Sequence, residues 1–388
     1  MYIAVDAMGG DFAPMAIVKG AIQATQEYGV SVLLVGDREK ILHELTRNRR
    51  SESSKIAIQH ASEVVEMGDS SVAALRRKRD SSLRVAFKQM KDGHAGAVVS
   101  AGNSGAVMGL AVTMLGRLPG IDRPTIITDV PALTGRTCLV DAGVNSECRP
   151  LHLVQFAVMG EVYARVVRGI ESPRVGVLSN GAEESKGTET TRAAHHILKK
   201  LPINYCGYIE GRDLNSGEVD VAVTDGFTGN IALKTMEGFW DFSQGKLRSL
   251  FSSSWRGKFA FLLLKSSLAD LRVSLDKDEV GGAPLLGTAG VTIIAHGASS
   301  PKAIKNAIRV ANDSVQRGFN RQIGESLQSL KSLPEIAALA ADDRRGRKIW
   351  SQLRQRFGHS KDQSEEPESI PKIERKEKTD IETQETSE

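Results

Sequence analysis

Short runs of β-branched and other apolar residues recur along the chain, and each is followed by a glycine-containing turn and a helical pattern. These runs are Tyr2–Val5, Val32–Val35, Ala97–Val99, Thr125–Thr128, Cys138–Val140, Arg174–Leu178 and Val219–Val223. The alternation predicts an α/β fold with a mostly parallel sheet and helices on both faces, in one large domain or in two lobes around a cleft. Ligands of such sheets bind beyond the carboxyl ends of the strands, so we expect the chemistry in the turns that follow these runs.

Residues 150–170 have a helical pattern with apolar side chains around most of the helix circumference. A helix of this kind is buried on nearly all sides. The protein core and a subunit interface would both bury it, and we favour the core.

The composition divides the chain into three parts. Residues 1–335 carry the strand and helix patterns and are predicted to form the catalytic α/β domain. Residues 336–357 place single apolar positions among charges, which indicates one or two short amphipathic helices. Residues 358–388 consist mainly of Glu, Lys, Ser, Thr and Gln and contain no Phe, Trp or Tyr, so they are predicted to be a disordered charged tail.

Bulk properties argue against several classes of protein. A formal charge of +4 over 388 residues gives no general argument for nucleic-acid binding. The three cysteines form no CxxC pair, so neither a zinc site nor a disulfide framework is indicated, and a reducing cytoplasm fits best. The first residues resemble a core strand rather than a secretion signal, and apolar runs such as residues 259–264 are too short to span a membrane.

The turn after the first predicted strand has the form of an anion site. In the segment Asp6–Asp11, Gly9 and Gly10 would let backbone amides approach an anion that bulkier residues would keep away. A tight turn with a capping aspartate is the structural alternative.

A second turn of this kind, Ser100–Gly105, leads into an apolar pattern that predicts a helix over residues 106–115. Backbone amides and the positive end of the helix dipole would face a phosphate-sized anion beside Asn103, Ser104 and Gly105. The alternative is an ordinary strand–turn–helix with Asn103 or Ser104 as the N-cap.

Later turns repeat this arrangement with polar side chains. Asp141 and Asn145 follow one predicted strand, and Lys186 precedes the helical run 191–198. Residues 225–230 introduce another helical pattern.

Asp225, Thr228 and Asn230 belong to that last turn, and a second anion or oxyanion site fits there. His296 follows the apolar run 291–295. A lone histidine is more often structural than catalytic, so His296 stays a candidate only.

Several familiar catalytic patterns are missing from the sequence. Lys186 is followed by Gly-Thr rather than preceded by the glycine of a P-loop, and no GxGxxG follows a strand, so nucleotide and dinucleotide cofactors lack support. No Ser/His/Asp or Cys/His group and no metal-ligand spacing stands out. We therefore expect no cofactor and no metal, and the nucleophile can come from the substrate.

Seven segments, taken in order over about residues 1–325, resemble the phosphate acyltransferase family called PlsX. They are Val5–Asp11, Ser100–Gly105, Asp141–Asn145, Leu153–Gly160, Asn180–Gly187, Gly207–Arg212 and Asp225–Asn230. The resemblance implies an α/β fold related to the isocitrate and isopropylmalate dehydrogenases and to phosphotransacetylases. It also implies a homodimer, no metal or nucleotide, and a cytoplasmic protein at the membrane periphery. Ser104 stands where threonine is frequent in the family, and Val144, Ser146 and Glu147 change the stretch after Gly143.

The family reaction would move a long-chain fatty acyl group from acyl carrier protein to inorganic phosphate, giving an acyl phosphate for phospholipid synthesis. A phosphate oxygen attacks the thioester carbonyl, so the protein must hold the anion and stabilise the oxyanion. We assign Lys186 and Asn230 to catalysis. The assigned phosphate cradle is Gly9, Gly10, Asn103, Ser104 and Gly105, and the other cleft candidates are Asp6, Asp141, Asn145, Asp225, Thr228 and His296.

Two basic regions, Arg76–Arg79 and Lys246–Arg272, are candidates for docking the acidic acyl carrier protein, although charge runs are often only solvated faces. Aromatic and cationic residues alternate over residues 239–275. This mixture predicts a segment that lies in the membrane headgroup layer, from which the product would pass to a membrane glycerol-phosphate acyltransferase. A pair of dimer-interface helices is the alternative.

Three rival functions follow from the same residues. A phosphotransacetylase-like enzyme using acyl-coenzyme A could use the same cradle. A nicotinamide-dependent dehydrogenase lacks its fingerprint, and a membrane or nucleic-acid adaptor would leave the polar turns at the strand ends without a task.

Overall fold

The strand and helix patterns fold into one open sheet flanked by helices in a computed structural model that describes residues 1–70, 75–274 and 277–331. The strands are β1 Tyr2–Asp6, β2 Ser31–Gly36, β3 Ile56–His60, β4 Ala95–Ser100, β5 Thr125–Pro131, β6 Arg136–Val140, β7 Val175–Leu178, β8 Tyr205–Ile209, β9 Val221–Val223, β10 Ala283–Leu286 and β11 Val291–Ile294. The helices are α1 Met15–Glu27, α2 Arg38–Arg47, α3 Ser82–Lys91, α4 Ser104–Leu110, α5 Pro150–Val166, α6 Glu189–Leu198, α7 Gly226–Ser252, α8 Trp255–Ser274, α9 Pro301–Gln316 and α10 Phe319–Lys331. The α/β fold class predicted from the sequence is confirmed.

The described strands form a single sheet in the order β3-β2-β1-β4-β11-β10-β5-β6-β9-β7-β8. Strands β3, β2, β1, β4 and β11 are parallel to one another, and we call them the β1 half. Strands β6, β9, β7 and β8 are also parallel, and we call them the β6 half. Three antiparallel pairings through β10 and β5 join the halves, so the two halves run in opposite directions.

Helix α5 lies in the core, as favoured from its apolar circumference. Phe156 and Met159 are fully buried, and the helix packs against strands of the β6 half and against α10. It ends at Val166, four residues earlier than predicted, and the chain then turns at Gly169, whose φ is +76°.

Two local elements differ from what the sequence pattern indicates. Gly281, Gly282 and Pro284 are typical of a turn, but Ala283–Leu286 form β10, which pairs with both β11 and β5. The helix predicted over residues 106–115 begins at Ser104 and changes to a π-helical turn over Ala111–Leu115.

The proposed division of the chain stays a prediction. The short helices expected in residues 336–357 and the tail expected in residues 358–388 lie outside the described residues.

Candidate active site

Strands β1, β4 and β11 are neighbours in the sheet, so the loops that follow them meet at one edge. We call residues 6–13, 100–104 and 296–299 the β1-half cluster. The Asp11 amide donates to the Gly297 carbonyl at 2.8 Å. A Cβ on Gly9 would stand 2.9 Å from the Gly102 amide nitrogen, and Gly10 has a φ of +104°. Only glycine allows these loops to approach so closely.

Asp6 is the buried centre of this cluster. Its carboxylate accepts hydrogen bonds from Ser100 Oγ at 2.8 Å and from the Met8 amide at 3.3 Å, and the Gly102 amide donates to Ser100 Oγ at 3.1 Å. Burial raises the pKa of the Asp6 carboxyl, because the protein interior disfavours its charged form. Asp6 therefore lies beneath the loops and stabilises them through these hydrogen bonds.

Asn103 is the N-cap of α4 and also fastens a distant segment. Its Oδ1 accepts from the Ala106 amide at 3.0 Å, and its Nδ2 donates to the carbonyls of Met67 and Asp69, each at 3.0 Å. The capping alternative weighed for Asn103 is therefore present in the structure, and direct phosphate binding by this side chain stays a prediction. Ser104 and Gly105 form the first turn of α4, where backbone amides point out of the helix.

Strands β6, β9 and β7 are neighbours in the other half, and we call residues 141–145, 180–188 and 224–230 the β6-half cluster. Asp141, fully buried after β6, accepts from the amides of Gly143, Val144 and Asn145 at 3.1, 3.1 and 2.8 Å. The Asn145 side chain donates to the same carboxylate at 2.7 Å and to the Pro124 carbonyl at 2.9 Å. Asp141 and Asn145 thus hold the loop in place and are not open to a ligand.

The start of α7 lies against this loop. The Gly226 amide donates to the Asn145 carbonyl at 2.7 Å, and a Cβ on Gly229 would collide with the Asp141 carbonyl. The exposed Asn230 lies over Gly143, with its Cβ 3.4 Å from the point where a Cβ on Gly143 would stand. The helix therefore presents Asn230 directly above the loop.

Asp225 caps α7 by accepting from the amide and the hydroxyl of Thr228 at 2.8 and 2.9 Å. Lys186 lies in the loop after β7, the strand next to β9, and is exposed. In that loop the Gly187 amide donates to Asn180 Oδ1 at 2.9 Å. Lys186, Thr228 and Asn230 are thus exposed side chains on one edge of the β6 half.

His296 is exposed in the β1-half cluster, where its Nδ1 accepts from the Ala298 amide at 3.1 Å. This contact matches the structural interpretation of a lone histidine. Sequence reasoning gave no role to Cys148, whose thiol lies 3.6 Å from the Asn145 carbonyl of the β6-half cluster. Burial, together with the negative charges of Asp141 and Asp225, raises the pKa of its thiol to about 12.

Among the described residues, no group of three or more His, Cys, Asp or Glu side chains is arranged to hold a metal ion. Within the same part of the chain, every helix is too short or too polar to cross a membrane.

Known proteins share this fold and much of this sequence. Residues 1–322 match the family described as fatty acid synthesis protein. The chain is 50% identical to a phosphate acyltransferase from Geobacter sulfurreducens over 329 residues, which are 85% of this chain and 95% of that protein. It is 51% identical to a phosphate acyltransferase from Anaeromyxobacter sp. strain Fw109-5 over 336 residues, or 87% and 93% of the two chains.

Solved structures with the same fold have much lower sequence identity. A phosphotransacetylase from Streptococcus pyogenes superimposes with a TM-score of 0.56 at 16% identity, over 81% of this chain and 94% of that one. The similarity at this identity concerns the fold, whereas the sequence matches establish the family that the seven segments had suggested. The chain belongs to the PlsX family of phosphate acyltransferases.

Proposed function

We propose that this chain transfers a long-chain fatty acyl group from acyl carrier protein to inorganic phosphate, giving an acyl phosphate and the carrier thiol. Acyl transfer to phosphate follows from the family, and the donor and the residue roles are the proposal. One observation carries it: the β1-half cluster offers closely packed glycine backbone, and the β6-half cluster offers the exposed side chains of Lys186, in the loop after β7, and Asn230, in the first turns of α7.

Phosphate would bind at the β1-half cluster, where the loop amides and the first turn of α4 suit an anion. A phosphate oxygen then attacks the thioester carbonyl and forms a tetrahedral oxyanion. Lys186 and the Asn230 amide stabilise that oxyanion, which collapses by breaking the carbon–sulfur bond. The electron pair leaves with the sulfur, which takes up the proton that the attacking hydrogen phosphate loses. The attacking atom comes from the substrate, so no nucleophile of the protein is needed.

The opposite directions of the two halves are compatible with one shared site. Neighbouring strands of a sheet are rotated by about 20–25°, always with the same hand. Six strand pairs separate β1 from β9, so the rotation accumulates to about 120–150°. Combined with the reversal of direction, this rotation turns the carboxyl ends of both halves toward the same side, which supports a cleft between the two clusters.

The basic run beside the β1-half cluster suits an acidic carrier protein. Arg76, Arg77 and Arg79 are exposed, whereas Lys78 is paired with Asp69 at 2.6 Å. Exposed arginines of this kind would steer a negative partner toward the cleft. We place carrier docking on these three arginines.

Helices α7 and α8 expose large apolar side chains beside cations, and we propose that they attach the protein to the membrane surface. Phe239, Leu250 and Trp255 are 69%, 64% and 74% exposed, and Lys246 Nζ lies 5.6 Å from the centre of the Phe242 ring. Cosedimentation with anionic vesicles should require these side chains. Concentration-dependent dimerisation without vesicle binding would instead assign the surface to the proposed homodimer.

Thiol release from palmitoyl acyl carrier protein tests the activity. We expect release that depends on phosphate, with a product that reacts with hydroxylamine, and slower release from palmitoyl-coenzyme A. Equal or faster release from the coenzyme A ester would favour a phosphotransacetylase-like donor, and the absence of phosphate dependence would contradict the proposed reaction.

A further inference from the structure

Met67 has no task in the mechanism above, yet its side chain lies at the rim of the β1-half cluster. Its Cε and the carboxylate oxygens of Asp11 lie 3.1 Å and 3.5 Å from the point where a Cβ on Gly297 would stand. Met67 is 49% exposed, and Phe12, next to Asp11 in the chain, is 51% exposed. Two large apolar side chains are therefore open to solvent beside the glycine loops.

The backbone around Met67 is fastened, which leaves its side chain available. Asn103 Nδ2 donates to the Met67 carbonyl at 3.0 Å, so the same residue caps α4 and sets the position of Met67. Asp69 is paired with Lys78 at 2.6 Å, and Lys78 also donates to the Val64 carbonyl at 2.6 Å. A change of the Met67 side chain leaves all these contacts in place.

We propose that Met67 contacts the acyl chain of the substrate and contributes to a preference for long chains. This inference rests on the proposed function. The thioester carbonyl must lie next to the bound phosphate for attack, so the alkyl chain leaves the site from a point beside the β1-half cluster. An unbranched thioether side chain adapts well to a flexible alkyl chain. Each methylene buried in such a contact strengthens binding roughly fourfold.

Two substitutions at one position test the contact in the full chain. Met67→Gln keeps the length and the backbone hydrogen bonds but makes the end of the side chain polar, and Met67→Leu keeps it apolar. We measure kcat/KM with octanoyl, dodecanoyl and palmitoyl acyl carrier protein. The ratio of kcat/KM for the palmitoyl donor to kcat/KM for the octanoyl donor should fall about tenfold in Met67→Gln, as expected for the loss of one or two methylene contacts. In Met67→Leu the same ratio should stay within about twofold of the wild type.

Leu133→Gln is the matched control, because Leu133 is 89% exposed in the turn between β5 and β6, at the other end of β6 from Asp141. Its ratio should equal that of the wild type. An equal loss with every donor in Met67→Gln would assign Met67 to loop positioning and overturn the inference, as would an unchanged ratio. Both results require an active wild type, so they leave the proposed function standing. A wild type without phosphate-dependent release from any donor would overturn the proposed function and this inference together.

Discussion

Asp6 and Asp141 are buried aspartates at the carboxyl ends of β1 and β6: Asp6 is the last residue of β1, and Asp141 directly follows β6. Their surroundings differ. Asp6 accepts from Ser100 Oγ at 2.8 Å and from the Met8 amide at 3.3 Å, and burial raises its pKa. Asp141 accepts from three amides of its own loop, from the Asn145 side chain and from the Ile126 amide. One carboxylate is mainly desolvated, whereas the other organises a loop.

This difference separates two ways of building a loop at a strand end. In the β6 half the buried Asp141 fixes the loop 141–145; Asn230 lies exposed above that loop, and Lys186 is exposed in the loop after β7. In the β1 half close glycine contacts bring the loops together, and the groups proposed there for phosphate are mainly backbone amides. Side-chain truncation should therefore affect catalysis in the β6 half more than in the β1 half.

The largest effect is expected from Lys186→Ala and Asn230→Ala. Each removes a donor to the oxyanion, and the loss of one such donor raises the barrier by about 3–4 kcal/mol, so turnover should fall roughly 100- to 1,000-fold. Lys19→Ala, which removes an exposed lysine of α1, is the control and should keep full turnover. Urea unfolding should be unchanged in all three variants. Near-normal turnover in both test variants would remove these residues from the mechanism.

Asp141→Asn should lower the free energy of unfolding by about 2–4 kcal/mol. Asp141 Oδ1 accepts from the amides of Gly143, Val144 and Ile126, and Oδ2 accepts from the backbone and side chain of Asn145. Whichever way the new amide is oriented, its NH₂ group faces at least two donors. Each buried donor left without an acceptor lowers stability by roughly 1–3 kcal/mol. Urea unfolding at pH 7 measures the loss, and a stability equal to that of the wild type would show that the loop does not depend on the carboxylate.

Asp6→Asn should have a smaller effect, and its sign should depend on pH. Because the folded-state pKa of Asp6 is raised, the native wild type holds the proton more tightly than the unfolded chain does. The contribution of Asp6 to wild-type stability is therefore fully present below its pKa in the unfolded chain, about 3.9. That contribution declines as the pH rises through the folded-state pKa.

The variant lacks this titration, so its stability relative to the wild type should increase as the pH rises above about 4. Urea unfolding of both proteins at several pH values gives the difference directly. A wild type that gains stability over Asp6→Asn with rising pH would mean that hydrogen bonds to the ionised form outweigh desolvation.

Buried parallel strands were predictable from the sequence, and the two edge strands were not. β1, β2, β4 and β7 consist mainly of apolar residues because both faces of a central parallel strand are covered. The strands β3 and β8 are the edges of the sheet, and their mixed burial removes the apolar run that would reveal them. Strand β10 contains Pro284 after two glycines, a sequence typical of a turn.

One of the three antiparallel pairings that join the halves could have been inferred from a short connection. Only residues 132–135 join β5 to β6, and a connection this short requires an antiparallel pair. At the site, the polar turns at the strand ends were found from the sequence. The contact of Asn103 with Met67 was not, because the two residues are 36 positions apart and only the fold brings them together.

The smallest effect is expected from Cys148→Ala, which tests whether the β6-half cluster acts through its exposed side chains alone. Burial and the charges of Asp141 and Asp225 raise the Cys148 pKa to about 12, so the group is a neutral thiol and a poor nucleophile between pH 6 and pH 9. Turnover should stay within about threefold of the wild type, and the pH–rate profiles should superimpose. Cys206→Ala, which removes an exposed thiol, is the control. A 100-fold loss confined to Cys148→Ala would indicate an acyl-enzyme intermediate, and the attack on the thioester would then belong to the protein instead of the phosphate.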